Sequence, residues 1–584
     1  EKSGVELQKE LRKIGVPTDR AGRMNWENRL HSTEPRATFI LANSFAGVLA
    51  SLFVLLMIWG TSRWEKEPFF ICAFVFATSL MGYCLVLTKS RTAWVGAIAG
   101  VLLWGILRWG GKSLQSKKWL LRVAVVVCLV LAAFVIAGVS GGIDREVFSE
   151  APKSLLYRLQ YWQGTWGVIQ EHPFFGVGAG NFRFHYLQHK LAESSEEIAD
   201  PHNLFLDIWT SGGLLALVGL MGMLLSATPI LLKRTNAPQK TSSKDSNSKD
   251  SKENNGNNQE KRDSLFIGTI AGFVFLILLR WLLDVHFDTT LFVMLAGWVV
   301  FYRLLKRLVT SSEIPPYCYL CGGVVMVVHL LGAGGIERPA MVQTLLLLLA
   351  VAVPLKEKLP EEKSSKNESS RQNSIAPEFR SSVPVITFWV VLFICCLMTA
   401  TLPVLKNQIA MNYVTTTQEI QTKERYLSVA ATVDPFSTSS TFQLAQLSFS
   451  KWNRPIAQES HFQDAIKWLN VILEKEPRNS GIWHVQGEWY LLKYKKTRLL
   501  LAVQSAVNSF YRAVELHPTS VLFRKDLAEA LHRANKNKAA SVQATEALRL
   551  DEINRKYHHT DKYLSSEEIQ QLKLFQKQMN QKSF

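Results

Sequence analysis

Two arginines and a histidine are the side chains best suited to chemistry in this sequence, and all three are tied to apolar segments. His202, in DPHNLFLDIW, opens an apolar run. A neutral imidazole at a water–lipid boundary titrates near neutral pH and suits a general base. The plainer alternative is a helix-start residue that packs or caps locally. Arg158 lies on the flank of an apolar face made by Tyr157, Tyr161, Trp162, Trp166 and Ile169. That pattern predicts an amphipathic helix on or in the interface. It ends at Glu171–Pro173, because proline disfavours helix in the residue before it. Arg91, in LTKSRTAWVGAIAG, stands at the end of another run, with Ser90 or Thr92 placed to cap the helix. It is either a snorkelling anchor or a guanidinium turned into a polar cavity, where it would bind phosphate in bidentate fashion. Arg280, Asp284, His286 and Asp288 cluster at a further boundary, as an ion network or as lining of the same cavity.

Other groupings carry less. PFFGVGAGNF places Gly176, Gly178 and Gly180 within five residues, which permits a tight backbone. It is not a dinucleotide fingerprint, since no strand precedes it. His185 and His189 are one helical turn apart, but no third ligand follows at a fixed spacing. They read as side chains of a loop helix, and no metal or other cofactor is expected. Cys318 and Cys321 form a CxxC in an apolar setting and read as buried thiols, and the other five cysteines also fall in or beside apolar runs.

The elements that must hold these residues are long apolar runs, at 37–60, 68–88, 93–110, 118–139, 203–232, 264–283, 287–305, 315–332, 339–355 and 383–405. Runs of this length need a bilayer, so the expected fold is all-α: a polytopic transmembrane bundle of about ten helices. The run at 203–232 exceeds one crossing, and its first turns are expected in the interface. The net charge of +18 does not point to nucleic acid, because many Lys and Arg residues lie in short segments between the runs. Trp59, Trp64, Trp109, Trp119 and Trp281 fit an interfacial belt.

Loop charge sets the orientation. Segment 233–263 carries eight Lys or Arg residues, is rich in Ser and Asn, and reads as a disordered cytoplasmic loop. Alternation then places 108–122, 303–310 and 356–382 inside, each basic or Lys-rich. The 140–202 loop, the turns at Lys89–Arg91, 284–290 and 333–338, and everything after 405 fall outside. Residues 406–584 change character to amphipathic helices. VDP at Val433–Pro435, KEP at Lys475–Pro477 and LHP at Leu516–Pro518 each end a helix pattern. Ala506 aligns with Ala540, Phe510 with Ala544 and Ala513 with Ala547 at 34 residues, the tetratricopeptide period. Such repeats stack into a concave binding surface.

Four segments in order resemble the O-antigen ligase and polymerase superfamily of bacterial membrane glycosyltransferases. They are RATFILANSFAG (Arg36–Gly47, containing Asn43), SRTAW (Ser90–Trp94), YRLQYWQGTWGVIQEHPFFGVGAGNF (Tyr157–Phe182, containing Asn181) and HNLFLDIWTSGGLLAL (His202–Leu217, containing Asn203). The resemblance covers about 36–305. It implies a bacterial inner-membrane enzyme that moves a glycan from a polyprenyl-diphosphate donor to an acceptor hydroxyl at the outer face, without a metal. The acceptor would be a lipid, a polysaccharide or a protein. By the same analogy Arg91 and Arg158 would stabilise the departing diphosphate and His202 would deprotonate the acceptor. Asn203, Asn181, Asn43, Arg280 and Asp284 would support them. Relatives of this kind have about twelve spans, so further helices are expected ahead of Glu1. The domains expected are 1–36 outside, helices over 37–139, the site-bearing loop 140–202, helices over 203–405, and outer repeats over 406–584 that recruit protein partners. A transporter and an assembly scaffold are the competing classes. The first requires charges along a path through the bilayer midplane, and few ionisable residues lie there.

Overall fold

The computed structural model describes residues 41–61, 68–109, 151–226, 316–336, 338–352, 394–454 and 458–580, with isolated positions besides. The expected runs at 118–139, 264–283 and 287–305 fall wholly or almost wholly outside these residues. So do the loops 233–263 and 356–382, nearly all of segment 1–36, and Arg280 and Asp284. The described residues are helical, with no strand among them.

The chain divides into two compact units, one of 1–241, 313–355 and 510–584, the other of 242–312 and 356–509. In the first unit α1 (Ala42–Thr61), α2 (Pro68–Leu87), α3 (Arg91–Trp109), α6 (Leu204–Ser226), α7 (Pro316–Leu330) and α8 (Pro339–Ala352) match the predicted runs. Of these, α1 and α6 are long and apolar enough to cross a membrane, and in the second unit Ile394–Thr416 is too. That last helix continues well past 405, where the apolar run was expected to stop.

Small residues set the packing of α3 on α7. A Cβ on Gly96 would lie 2.7 Å from the Val325 carbonyl oxygen, and one on Gly100 3.2 Å from that of Cys321. Close approach of this kind replaces the hydrophobic drive that lipid does not supply. Ala46, Ala50, Val54, Ala93, Ala97, Cys318 and Cys321 fill the seam, so the CxxC is buried as expected. A polar contact crosses it, between Thr92 Oγ1 and His329 Nδ1 at 3.0 Å.

Between α3 and α6 stand α4 (Ala151–Glu171) and α5 (Phe182–His189). The first ends where Pro173 predicted. Tyr161, Val168, Phe182, Tyr186 and Ile198 form a small core of their own.

The tail is helical throughout its described length. Helices end at Val433, Lys475 and Leu516, each the first residue of its triplet and two positions before the proline. Ala506, Phe510, Ala513, Ala540, Ala544 and Ala547 are all buried. In the first unit the helices Val521–Arg533, Asn537–Lys556 and Ser566–Asn580 enclose a core with Val521, Ala528, Leu550 and Phe575, against which Ala192 packs.

Candidate functional site

The site is built on a glycine turn. Residues 331–338 join α7 to α8, and the carbonyls and small residues of this turn take up the side chains from three other elements. Arg158 reaches out of α4 and donates from Nε to the Gly332 carbonyl at 2.7 Å, and from Nη1 to Ser154 Oγ at 2.8 Å. Asn203 donates from Nδ2 to the Leu331 carbonyl at 3.0 Å. Its Oδ1 accepts from the Phe205 and Leu206 N–H groups at 3.1 and 3.2 Å, an N-cap on α6. Gly334 lies flat against His202 and Asp200: a Cβ there would sit 2.4 Å from His202 Nδ1 and from Asp200 Oδ1.

Asp200 is the residue the sequence did not single out. Its Oδ1 accepts from the His202 backbone N–H at 2.9 Å and stands 2.6 Å from His202 Nδ1. A bond of that kind holds the ring with its proton on Nδ1 and leaves Nε2 to accept a proton. The backbone bends to allow it, for His202 has φ +52°, a left-handed conformation rare outside glycine. Tyr161 lies edge-on to the imidazole, with centroids 6.0 Å apart, and Trp162 Nε1 donates to the Pro201 carbonyl at 3.1 Å.

The electrostatics follow from this packing. Burial disfavours a charged His202 ring, but the Asp200 carboxylate outweighs it, and the pKa lies above the ordinary histidine value. Burial likewise works against the Asp200 carboxylate, yet its hydrogen bonds from His202, with help from Arg338, hold its pKa below normal. Arg158 has its pKa lowered, first by burial and then by the like charge of Arg91. Arg91 Nε is itself buried with no hydrogen-bond partner among the described residues. A like charge in a half-buried setting disfavours the ionised guanidinium of Arg158.

The fold thus brings together Arg91, Arg158, His202 and Asn203. Asn181 stands apart: it is exposed and donates from Nδ2 to the Val177 carbonyl at 3.0 Å. Asn43 lies in the first turn of α1 with its side chain exposed.

The glycines of PFFGVGAGNF do what their spacing permitted. Gly176, Gly178 and Gly180 have φ of +66°, +86° and +79°. The loop then docks by main chain on α6: Val177 N–H donates to the Thr210 carbonyl at 2.7 Å, Gly178 N–H to that of Ser211 at 3.0 Å, and Leu214 N–H to that of Pro173 at 3.0 Å. These carbonyls are free because α6 breaks at Gly213 (φ +72°).

A helical membrane protein with a basic, histidine-bearing site on a polar loop is the class these features define. Residues 76–221 match the family model described as O-antigen ligase. An O-antigen ligase of Salmonella typhimurium is 29% identical over 173 residues, covering 27% of this chain and 38% of that protein. An O-antigen ligase of Pseudomonas aeruginosa is 25% identical over 161 residues, covering 28% of this chain and 35% of that protein. The chain therefore spans just over a third of the length of these curated relatives. Through this region it is similar to the O-antigen ligases. The matched stretch holds Arg91, Arg158, Asn181, Asp200, His202 and Asn203, and leaves out Asn43, Arg280 and Asp284.

Proposed function

We propose that this protein is a membrane glycosyltransferase which moves a glycan from a polyprenyl-diphosphate donor to an acceptor hydroxyl at the outer face of the bacterial inner membrane. The observation that carries the reading is the Asp200–His202 pair standing beside Arg158 and Arg91. His202 Nε2 takes the proton of the acceptor hydroxyl, while Asp200 stabilises the imidazolium that forms. The hydroxyl oxygen attacks the anomeric carbon, and the bond from that carbon to the diphosphate oxygen breaks. Charge grows on the leaving diphosphate, where guanidiniums already in position act most strongly. Both curated relatives are O-antigen ligases, which favours a ligase over a polymerase or a protein glycosyltransferase.

The reading also takes loop 140–202 and the tail as outside the cytoplasm. Supporting it, Lys562 of the tail donates to the Ser195 carbonyl, and Ala192 packs on the core of the last tail helices, contacts that favour loop and tail on one side. The test is transfer in proteoliposomes from a lipid-linked glycan to a lipid acceptor. His202→Ala and Arg158→Ala proteins that insert and fold lose it. Full transfer by both would overturn the reading, and substrate uptake without any lipid-linked donor would favour a carrier.

A further inference from the structure

A second cluster stands at the far end of α4, away from the glycine turn. Glu171 is the last residue of that helix and His172 follows it. His185 comes from α5. One ligand atom from each lies within 4.8 Å of the others. The sequence offered only His185 and His189, a pair one turn apart, and the fold supplies the missing members from another element.

We propose that Glu171, His172 and His185 form a binding site for a divalent transition-metal ion of the zinc class. Two imidazoles and one carboxylate are a zinc donor set, with a fourth position left to water. The rings of His172 and His185 meet edge to face, with centroids 4.9 Å apart and planes at 87°. His172 Nε2 is buried and has no hydrogen-bond partner among the described residues. The place suits a cation for a further reason, since the last carbonyls of a helix carry partial negative charge. The backbone around it is fixed: His172 N–H donates to the Val168 carbonyl at 3.0 Å, and Gly176 N–H to that of His172 at 3.2 Å.

His189 stands beside the cluster without being a ligand. Its Nε2 is buried 3.2 Å from Glu171 Oε1 without an aligned hydrogen bond, near enough to serve as an outer partner once the carboxylate turns to a metal. Gly167 makes the room, for a Cβ there would lie 2.7 Å from the His189 ring. Metal bound here ties the end of α4 to α5 across loop 173–181, the loop that docks on the break in α6. Its role is that of a strut and it takes no part in glycan transfer, so it stands or falls independently of the proposed function.

The test uses the full chain without a histidine tag, in detergent, stripped with chelator and titrated with zinc chloride. The wild-type protein is expected to take up one tightly held equivalent and to melt at a higher temperature when loaded. His172→Ala and His185→Ala are expected to weaken that equivalent at least a hundredfold. His189→Ala is expected to keep it about tenfold weaker, within the range seen for outer-shell partners. Failure of the wild-type protein to hold an equivalent overturns the proposal, as does unchanged binding by the His172→Ala/His185→Ala double variant. His185→Gln, which keeps the side-chain bulk, carries the test if the alanine variants do not fold.

Discussion

Asp200 and His202, two residues apart, are joined twice: the carboxylate accepts the backbone N–H of His202 at 2.9 Å and stands 2.6 Å from its ring nitrogen. The backbone at His202 is left-handed, and with Nδ1 held by the carboxylate the other ring nitrogen is left to take a proton. Asp200 is thus a positioning residue for the proposed base. Asp200→Asn is expected to lower kcat about tenfold or more while leaving KM nearly unchanged. His202→Ala is expected to lower transfer by about 10²–10⁴, the usual contribution of a general base. Steady-state rates in proteoliposomes check both, and equal activity of Asp200→Asn and wild type would remove Asp200 from the mechanism.

The pH profile follows from the same pair. The pKa of His202 lies above its ordinary value of 6.5. A general base works when neutral, so activity rises with pH through that raised pKa and falls away below it. Asp200→Asn removes the charge that raises it, which moves the acid limb of the profile toward lower pH. A limb that stays in place in the variant would show that another group titrates.

Arg158 makes two directional bonds, to Gly332 and to Ser154, while remaining close to Arg91. Lysine keeps the charge but not the planar fork. Arg158→Lys is therefore expected to lose much of the transfer rate, approaching the roughly 10²–10³ expected for loss of a preorganised donor. Wild-type rates in Arg158→Lys would mean that charge alone suffices.

Gly213 lets loop 173–181 enter the break in α6. A Cβ there would lie 2.0 Å from the Phe174 carbonyl oxygen, and φ is +72°. Gly213→Ala is expected to destabilise the protein by about 2 kcal/mol or more, through backbone strain and overpacking. Thermal melting in detergent measures it. Gly219→Ala, on the same helix with open space around it, serves as the control.

The seam between tail and loop is expected to respond to pH. Burial, and then the like charge of Lys562, lower the pKa of Lys190 to about 7. Its other neighbours include Glu197 and Asp561, and it donates to the Ser194 carbonyl at 2.7 Å. His517 and His559 face the same charges with pKa values held to about 4, chiefly by burial, so they stay neutral across the window. In an unfolded chain Lys190 keeps its proton up to about 10.5. The folded form binds fewer protons above pH 7, so stability rises with pH from about 7 upward and is lowest below it. Proteolytic release of the last tail helices is expected to be faster at pH 6 than at pH 8.5. Lys190→Met should flatten that difference.

Much of this was legible because membranes restrict what a sequence can do. The apolar runs set the helices, Pro173 set the end of α4, and LHP set the end of the helix before Pro518. Arg91, Arg158, Asn203 and His202 were visible as polar residues at the edges of apolar runs, where a polar group needs a reason. Asp200 was not, because an acid two residues before a helix start is ordinary loop chemistry until the backbone turns it back on the ring. The break at Gly213 was hidden as well: a glycine pair inside an apolar run looks like helix packing. Only the arrival of the Pro173–Gly178 backbone explains it. Glu171 and His172 were silent for a similar reason, since metal spacing within one helix says nothing about ligands on another.

Gly332 and Gly334 are two residues apart, yet one holds Arg158 through its carbonyl and the other lies against the Asp200–His202 pair. Consecutive Cα atoms are fixed at 3.80 Å by covalent geometry. The separation between the proposed charge-neutralising group and the proposed base is therefore gauged by a tripeptide, whatever small tilts the surrounding helices undergo. One residue inserted between these glycines would throw both partners out of register at once.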